Sequence, residues 1–154
     1  MSSKNAKNVS INDHKLHDLS EWLLKQITKT KYDFCCWKQH ELHPKIANNS
    51  AIDWIFVVDA LNFSFWSENT RYSVTFNGHT YTGYWSLCAA INRAAKNGIP
   101  ITDPSFYAHL KPDQLEHIFK GENGVHIPLS DQRLQVLHEI GRVLLQFKTA
   151  TFKH

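Results

Sequence analysis

The dipeptide Asn77-Gly78 places the strongest local constraint on the fold of this chain. A two-residue type I′ turn needs positive φ at both central positions, which Asn and Gly adopt at little steric cost. Residues 71–76 before it and residues 79–82 after it have the alternation of short strands, so the pattern predicts a β-hairpin. One face of the first strand carries large apolar residues: Tyr72, Val74 and Phe76. Because a lone hairpin is only marginally stable in water, it must pack against other elements.

Helices are predicted to supply that packing surface. Residues 10–28 carry apolar residues at helical spacing, with Ser10 or Asn12 as the N-cap. Residues 51–59 fit a buried strand or a buried helix, and we favour a helix because the capping residues Asn48-Asn49-Ser50 precede them. Five further helices are predicted: residues 32–43 up to Pro44, residues 83–96 closed by Asn97-Gly98, a short helix from Asp103-Pro104, residues 112–119, and a long final helix capped by Ser130-Asp131. The fold class is therefore mainly α with one small β-hairpin.

Composition excludes several classes of protein. The chain has 154 residues, 42% of them hydrophobic, which is enough for one domain with a real core. Its net charge of +3 is too small to predict direct nucleic-acid binding. The three cysteines form no CxxC pair, which predicts reduced thiols. Residues 1–9 are polar and predict a disordered tail without a signal peptide, and no apolar run would span a membrane, so a cytoplasmic or nuclear location is expected.

The segment 59–68 mixes aromatic, amide and carboxylate side chains. Asp59, Asn62, Phe63, Trp66 and Glu68 all fall within these ten residues. The aromatic side chains are compatible with a core, but a buried amide must find hydrogen-bond partners, which the edge of a nucleobase provides. The mixture therefore favours a pocket for a flat, polar ring. Asp59 fits either a role in this pocket or the end of a helix.

Two other polar patterns favour structural roles. The run His40-Glu41-Leu42-His43 resembles the zinc-binding motif HExxH, but the two histidines are three residues apart rather than four, and Pro44 follows at once. We therefore predict no metal site and expect a helix end, with one histidine free to face a ligand. Asp103 stands where a helix cap belongs.

Four motifs in order carry a family resemblance: residues 37–42, 59–68, 81–90 and 98–102. Together they resemble the queuosine salvage proteins, the queuosine 5′-phosphate N-glycosylase/hydrolase family, over residues 16–152. The resemblance implies a helical architecture related to DNA glycosylases. It implies hydrolysis of the N-glycosidic bond of queuosine 5′-monophosphate, which releases queuine for salvage into tRNA, without a metal or organic cofactor. The expected partner is a nucleotide or nucleobase, not a membrane or a nucleic acid.

The resemblance also indicates which residues bind the substrate. His40 falls on the histidine that contacts the 7-deazaguanine base in the family, and residues 59–66 fall on the signature that shapes the pocket. The expected substrate-binding residues are His40, Asp59, Asn62, Phe63, Trp66 and Trp85.

The resemblance also departs from the family pattern. Family members are longer, and their catalytic aspartate lies in a later Phe-Ala-Asp-Tyr-Arg-type motif that has no match here. This predicts that residues 10–154 are the N-terminal half of such an enzyme, inactive alone, with its second half as a candidate partner. The alternative is a non-catalytic module that binds queuine, a nucleotide or a protein partner.

Overall fold

The computed structural model describes residues 10–29, 36–66 and 71–147. The chain divides into two units, Met1–Trp37 and Lys38–His154. In the first unit, helix α1 (Asp13–Lys29) begins after Asn12, whose side-chain oxygen accepts a hydrogen bond from the Lys15 N–H at 3.0 Å. Asn12 rather than Ser10 is therefore the cap. The predicted tail, residues 1–9, lies outside the described residues.

The second unit is built from helices around one hairpin. The short helix α2 (Cys36–Gln39) crosses the boundary between the two ranges. The elements that follow it are α3 (Asn49–Ala60), β1 (Ser73–Phe76), β2 (His79–Thr82), α4 (Tyr84–Lys96), α5 (Pro104–Tyr107), α6 (Pro112–Ile118), a 3₁₀ turn (Glu122–Gly124) and α7 (Ser130–Gln146). The predicted fold class, mainly α with a small hairpin, is confirmed. The relation to DNA glycosylases stays a prediction, as does the assignment of residues 10–154 to one domain. Within the described ranges, no helix is both long enough and apolar enough to cross a membrane.

The hairpin forms as its turn residues require. Asn77 and Gly78 have φ values of 49° and 83°, and the strands pair antiparallel from Phe76 with His79 to Ser73 with Thr82. Tyr72 and Val74 on the predicted apolar face are buried, and the hairpin packs against α4. The Tyr72 hydroxyl donates a hydrogen bond of 2.8 Å to the carbonyl of Phe119, so this buried phenol is satisfied. The core continues through the helices with Val57, Val58, Leu61, Leu87, Ile91, Leu115 and Leu137.

The ends of α3 and α4 follow local sequence signals. Asn48 caps α3 by accepting from the Ala51 N–H at 2.9 Å, which confirms the choice of helix over strand. At the end of α4, Gly98 adopts φ of +77° and its N–H donates to Ala95, while the Ile99 N–H donates to Ala94. This pair of bonds is a Schellman motif, in which glycine avoids the cost of a side chain at positive φ.

Two predicted boundaries are wrong. The helix predicted over residues 32–43 ends at Gln39 where it is described, because residues 40–43 form a turn before Pro44. In that turn the His40 ring accepts a hydrogen bond from the Leu42 N–H at 3.2 Å, and proline disfavours helical backbone at the residue before it. Ser130 does not cap α7, since the helix already includes it and Leu129 precedes it in a left-handed conformation with φ of 55°.

Candidate active site

A cavity of about 530 Å³ opens beside the chain that leaves α3. Residues 62–66, here called the aromatic segment, form one wall, and Arg71, Gly83 and Tyr84 complete the lining. The volume suits a small organic ligand. Another cavity of about 500 Å³ lies between residues 98–100 and α6, but it contains none of the residues that the sequence predicts for binding.

The aromatic segment is shaped by the end of α3. Leu61 ends the helix and is buried, and Ser64 then takes a positive φ of 45°. Phe63 and Phe65 are half-buried, whereas Trp66 is 89% exposed. Phe63 and Trp66 therefore belong to the cavity wall and its rim, whereas Phe65 both lines the cavity and packs against the core.

The predicted binding residues divide into three groups. Asn62, Phe63 and Trp66 line the cavity. His40 and Trp85 lie outside its lining, stacked on each other with ring centroids 3.6 Å apart and planes 15° apart. Asp59 is exposed in the last turn of α3, and its charge acts on the Tyr84 hydroxyl.

A second group of rings adjoins the cavity and is called the ring cluster: His40, His43, Trp54, Tyr84 and Trp85. His43 is buried at its centre, and its Nε2 lies 2.9 Å from the Tyr84 hydroxyl. Trp54 approaches His43 edge-on and donates a 2.8 Å hydrogen bond from its indole nitrogen to Asn92. Tyr84 belongs to both the ring cluster and the cavity lining, so it joins the two groups.

The loop that carries His40 is held by local hydrogen bonds. The Lys45 ammonium donates to the carbonyls of His40 at 2.6 Å and Lys38 at 2.8 Å. The Leu42 N–H donates to the His40 ring. These bonds fix the imidazole against Trp85, so one of its faces is already occupied.

Tyr84 is a neutral hydroxyl near physiological pH. Burial is the largest cause that raises the pKa of this phenol, followed by its hydrogen bond with Cys88 and by the charge of Asp59. Burial likewise raises the pKa of Cys88, to about 11, so that thiol is protonated and inert. Tyr84 can therefore donate or accept a hydrogen bond in the cavity without carrying charge.

Sequence reasoning missed three contributors to this region. The sequence predicts only that one histidine of the HExxH-like run faces a ligand, and it does not indicate that His43 is buried beside Tyr84. The Tyr84 hydroxyl was not singled out. Arg133 lies in a helix far along the chain, and its guanidinium packs over Phe63 and Phe65. A signal for Arg133 was available in the sequence. It lies four residues before Leu137, so a charged side chain falls on the apolar face of α7.

The described residues contain no group of three or more His, Cys, Asp or Glu side chains that could hold a metal ion. The two histidines of the HExxH-like run are directed to other partners, His40 to the Leu42 N–H and His43 to Tyr84. Asp103 has the capping role predicted for it, since it accepts hydrogen bonds from the Ser105 N–H at 2.8 Å and from the Ser105 hydroxyl at 2.6 Å.

Comparison with known proteins places this sequence in a family. The family model described as "Queuosine salvage protein" matches residues 42–154, which include the aromatic segment and most of the ring cluster. His40 lies two residues before the matched region.

Curated relatives extend the similarity along most of the chain. Queuosine 5′-phosphate N-glycosylase/hydrolase of Bos taurus is 44% identical over 147 residues, which are 94% of this chain and 43% of the relative. The protein of the same name from Schizosaccharomyces pombe is 42% identical over 155 residues, covering 93% of this chain and 45% of the relative. A bacterial protein of that name, from Sphaerobacter thermophilus, is 41% identical over 106 residues.

The chain thus spans less than half the length of the curated relatives it matches. The family match nevertheless covers most of the described second unit, together with the cavity wall and the residues that support it. This chain belongs to the queuosine salvage protein family.

Proposed function

We propose that this chain binds queuosine 5′-monophosphate in the cavity beside the aromatic segment, as the nucleotide-binding part of an N-glycosidic hydrolase. The observation that carries the proposal is the coincidence of the family match with an aromatic-walled cavity of about 530 Å³. The curated relatives that match the chain are named for hydrolysis of queuosine 5′-phosphate.

The lining suits the parts of such a nucleotide. Phe63, Phe65 and Trp66 offer ring faces for stacking by the flat 7-deazaguanine base. The Asn62 amide and the Tyr84 hydroxyl offer donors and acceptors for its polar edge. The Arg71 guanidinium offers a positive charge to the 5′-phosphate. In this arrangement His40 approaches the base with the face of its ring that Trp85 leaves free.

Catalysis is proposed to need a group from outside the described cavity. Cleavage of an N-glycosidic bond builds positive charge on the ribose, which a carboxylate stabilises directly or by activating water. No Asp or Glu lies among the described residues that line the cavity, and Asp59, in the last turn of α3, is outside that lining. We therefore expect the chain alone to bind without turnover, and a second half of the enzyme to supply the carboxylate.

Titration calorimetry with queuosine 5′-monophosphate tests the binding step. Saturable binding is expected, and Trp66→Ala should weaken it. Phe147→Ala is the matched control, since Phe147 is another exposed aromatic, 74% accessible, in a different part of the chain. Absence of binding to the wild-type chain would refute the proposal, as would equal losses of affinity in both variants.

Turnover is tested separately by chromatography after incubation of the chain with the same nucleotide. No release of queuine is expected. Release of queuine by the wild-type chain would disprove the claim that the carboxylate comes from elsewhere, while leaving the binding site intact.

The absence of a carboxylate from the described lining also favours a second candidate, a non-catalytic module that binds queuine. Such a module should bind queuine at least as tightly as the nucleotide, because it gains nothing from the ribose phosphate. Tighter binding of the nucleotide supports the hydrolase. Neither candidate needs nucleic acid, so added tRNA should cause no salt-dependent shift in the fluorescence of the chain.

A further inference from the structure

Arg133 is fully buried, and its hydrogen-bond partners among the described residues are backbone carbonyls. Its Nε donates to the Pro128 carbonyl at 2.8 Å, its Nη1 donates to Leu61, and its Nη2 donates to Phe63 and, at 3.1 Å, to Ser64. No carboxylate within the described ranges forms an ion pair with it. A buried cation without a paired anion is costly unless its hydrogen bonds compensate.

Three of these four carbonyls belong to the chain that leaves α3. Leu61 ends the helix, where carbonyl groups lack partners within the helix and the helix dipole favours a positive charge. The last turn of α3 contains no basic residue of its own. A guanidinium that is 72 positions away in sequence therefore supplies the cation that the helix end lacks.

The same guanidinium also contacts two rings of the cavity wall. Its central carbon lies 4.4 Å from the Phe63 ring centroid and 5.0 Å from the Phe65 ring centroid. A planar guanidinium can stack on rings and donate in its own plane at the same time, which a lysine ammonium cannot do. Arg133 thus fixes both the backbone and the rings of the aromatic segment.

Two properties of the segment make this support necessary. Ser64 has a φ of 45°, a conformation that costs energy for a residue with a side chain. Phe63 and Phe65 are only half-buried, so burial alone does not hold them. Burial lowers the pKa of Arg133 to about 10, which still leaves the guanidinium charged near neutral pH.

We propose that Arg133 is a positioning residue for the nucleotide cavity, which it forms by holding residues 61–66 through their carbonyl groups and rings. This inference rests on the proposed function for the identity of the ligand. The positioning itself can be measured without any ligand.

Hydrogen exchange in the free chain tests the positioning. Arg133→Lys keeps the charge but loses the planar fork, and Arg133→Met keeps only the apolar stem. Both variants should accelerate amide exchange in peptides that cover residues 61–66, while α4 stays as protected as in the wild type. Unchanged exchange in residues 61–66 overturns the proposal, and so does a uniform acceleration that includes α4, because that indicates a general role in stability.

Calorimetry with queuosine 5′-monophosphate tests the consequence for binding. Arg133→Lys should weaken the affinity about tenfold, as expected for the loss of one or more charge-assisted hydrogen bonds that order the wall. Arg142→Lys is the matched control, an exposed arginine on the same helix, and should leave the affinity unchanged. Equal affinity of Arg133→Lys and the wild type overturns the proposal.

The two measurements separate this inference from the proposed function. If the wild-type chain binds no nucleotide, the proposed function fails, and faster exchange confined to residues 61–66 still supports a positioning role for Arg133. If Arg133→Met does not fold, Arg133→Lys alone decides both measurements.

Discussion

Replacement of Gly141 by alanine sets two effects of opposite sign against each other. Gly141 is buried in α7, and a Cβ atom built there would lie 2.7 Å from the Ala108 Cβ, 2.8 Å from its Cα and 2.9 Å from its nitrogen. Alanine is favoured over glycine inside a helix by about 1 kcal/mol. Overpacking of a well-packed site costs about 1–3 kcal/mol.

The geometry decides the sign. Two of the three close atoms of Ala108 belong to the backbone and cannot rotate away, so the overpacking cost should fall in the upper part of its range. With a cost of about 2–3 kcal/mol and a gain of about 1 kcal/mol, Gly141→Ala should lower the free energy of unfolding by about 1–2 kcal/mol. Urea unfolding followed by tryptophan fluorescence measures this difference.

Two further variants isolate the cause. Gln135→Ala changes an exposed position of α7 and should stay within about 0.5 kcal/mol of the wild type. Ala108→Gly in the Gly141→Ala background removes the Cβ contact but leaves the backbone contacts, so it should restore only part of the loss. A Gly141→Ala chain as stable as the wild type, or more stable, would refute the argument, because helix propensity would then outweigh the contact.

Three other predictions address the core, the cavity rim and pH. Tyr72→Phe should lower the free energy of unfolding by about 1–2 kcal/mol in urea titrations, because the buried Phe119 carbonyl loses its 2.8 Å hydrogen bond. Trp66→Ala should leave the urea midpoint unchanged, since the side chain is 89% exposed, and a clear loss of stability would place this ring in the core. Burial raises the pKa of the Cys88 thiol from 9.0 to about 11, so from pH 9 to 11 the unfolded chain should lose this proton first and stability should fall as pH rises. Urea midpoints across this range, compared with those of Cys88→Ala, test the last prediction, and a pH dependence as steep in the variant would contradict it.

Features determined by neighbouring residues could be predicted from the sequence. Asn77-Gly78 predicted the hairpin and its turn, and Gly98 predicted the end of α4, because few residue types adopt positive φ at low cost. The helix over α3 was also predicted correctly, since Asn48 provides a cap within three residues of its hydrogen-bond partner. In each of these cases the deciding interaction spans only a few positions.

Features determined by distant residues could not be predicted from the sequence. Three of the six predicted binding residues line the cavity, namely Asn62, Phe63 and Trp66. The stack of His40 on Trp85 and the contact of His43 with Tyr84 join residues more than forty positions apart, which no local pattern encodes. The predicted helix through residue 43 failed for a different, local reason: the side chains of His40 and Lys45 form hydrogen bonds that favour a turn there, and the apolar pattern of the sequence does not report such bonds.

The support of the aromatic segment links the packing of α7 to the proposed binding of nucleotide. Gly141 and Arg133 lie eight residues apart, a spacing that recurs on one face of a helix, and both are buried. A shift of α7 away from Ala108 should therefore move the guanidinium relative to the carbonyl groups of Leu61 and Phe63. We expect Gly141→Ala to weaken the binding of queuosine 5′-monophosphate as well as to lower stability, although Gly141 does not line the cavity. Calorimetry at a temperature where the variant remains folded measures this effect, with Gln135→Ala as the control. Lower stability with unchanged affinity would show that the position of Arg133 does not depend on the contact between Gly141 and Ala108.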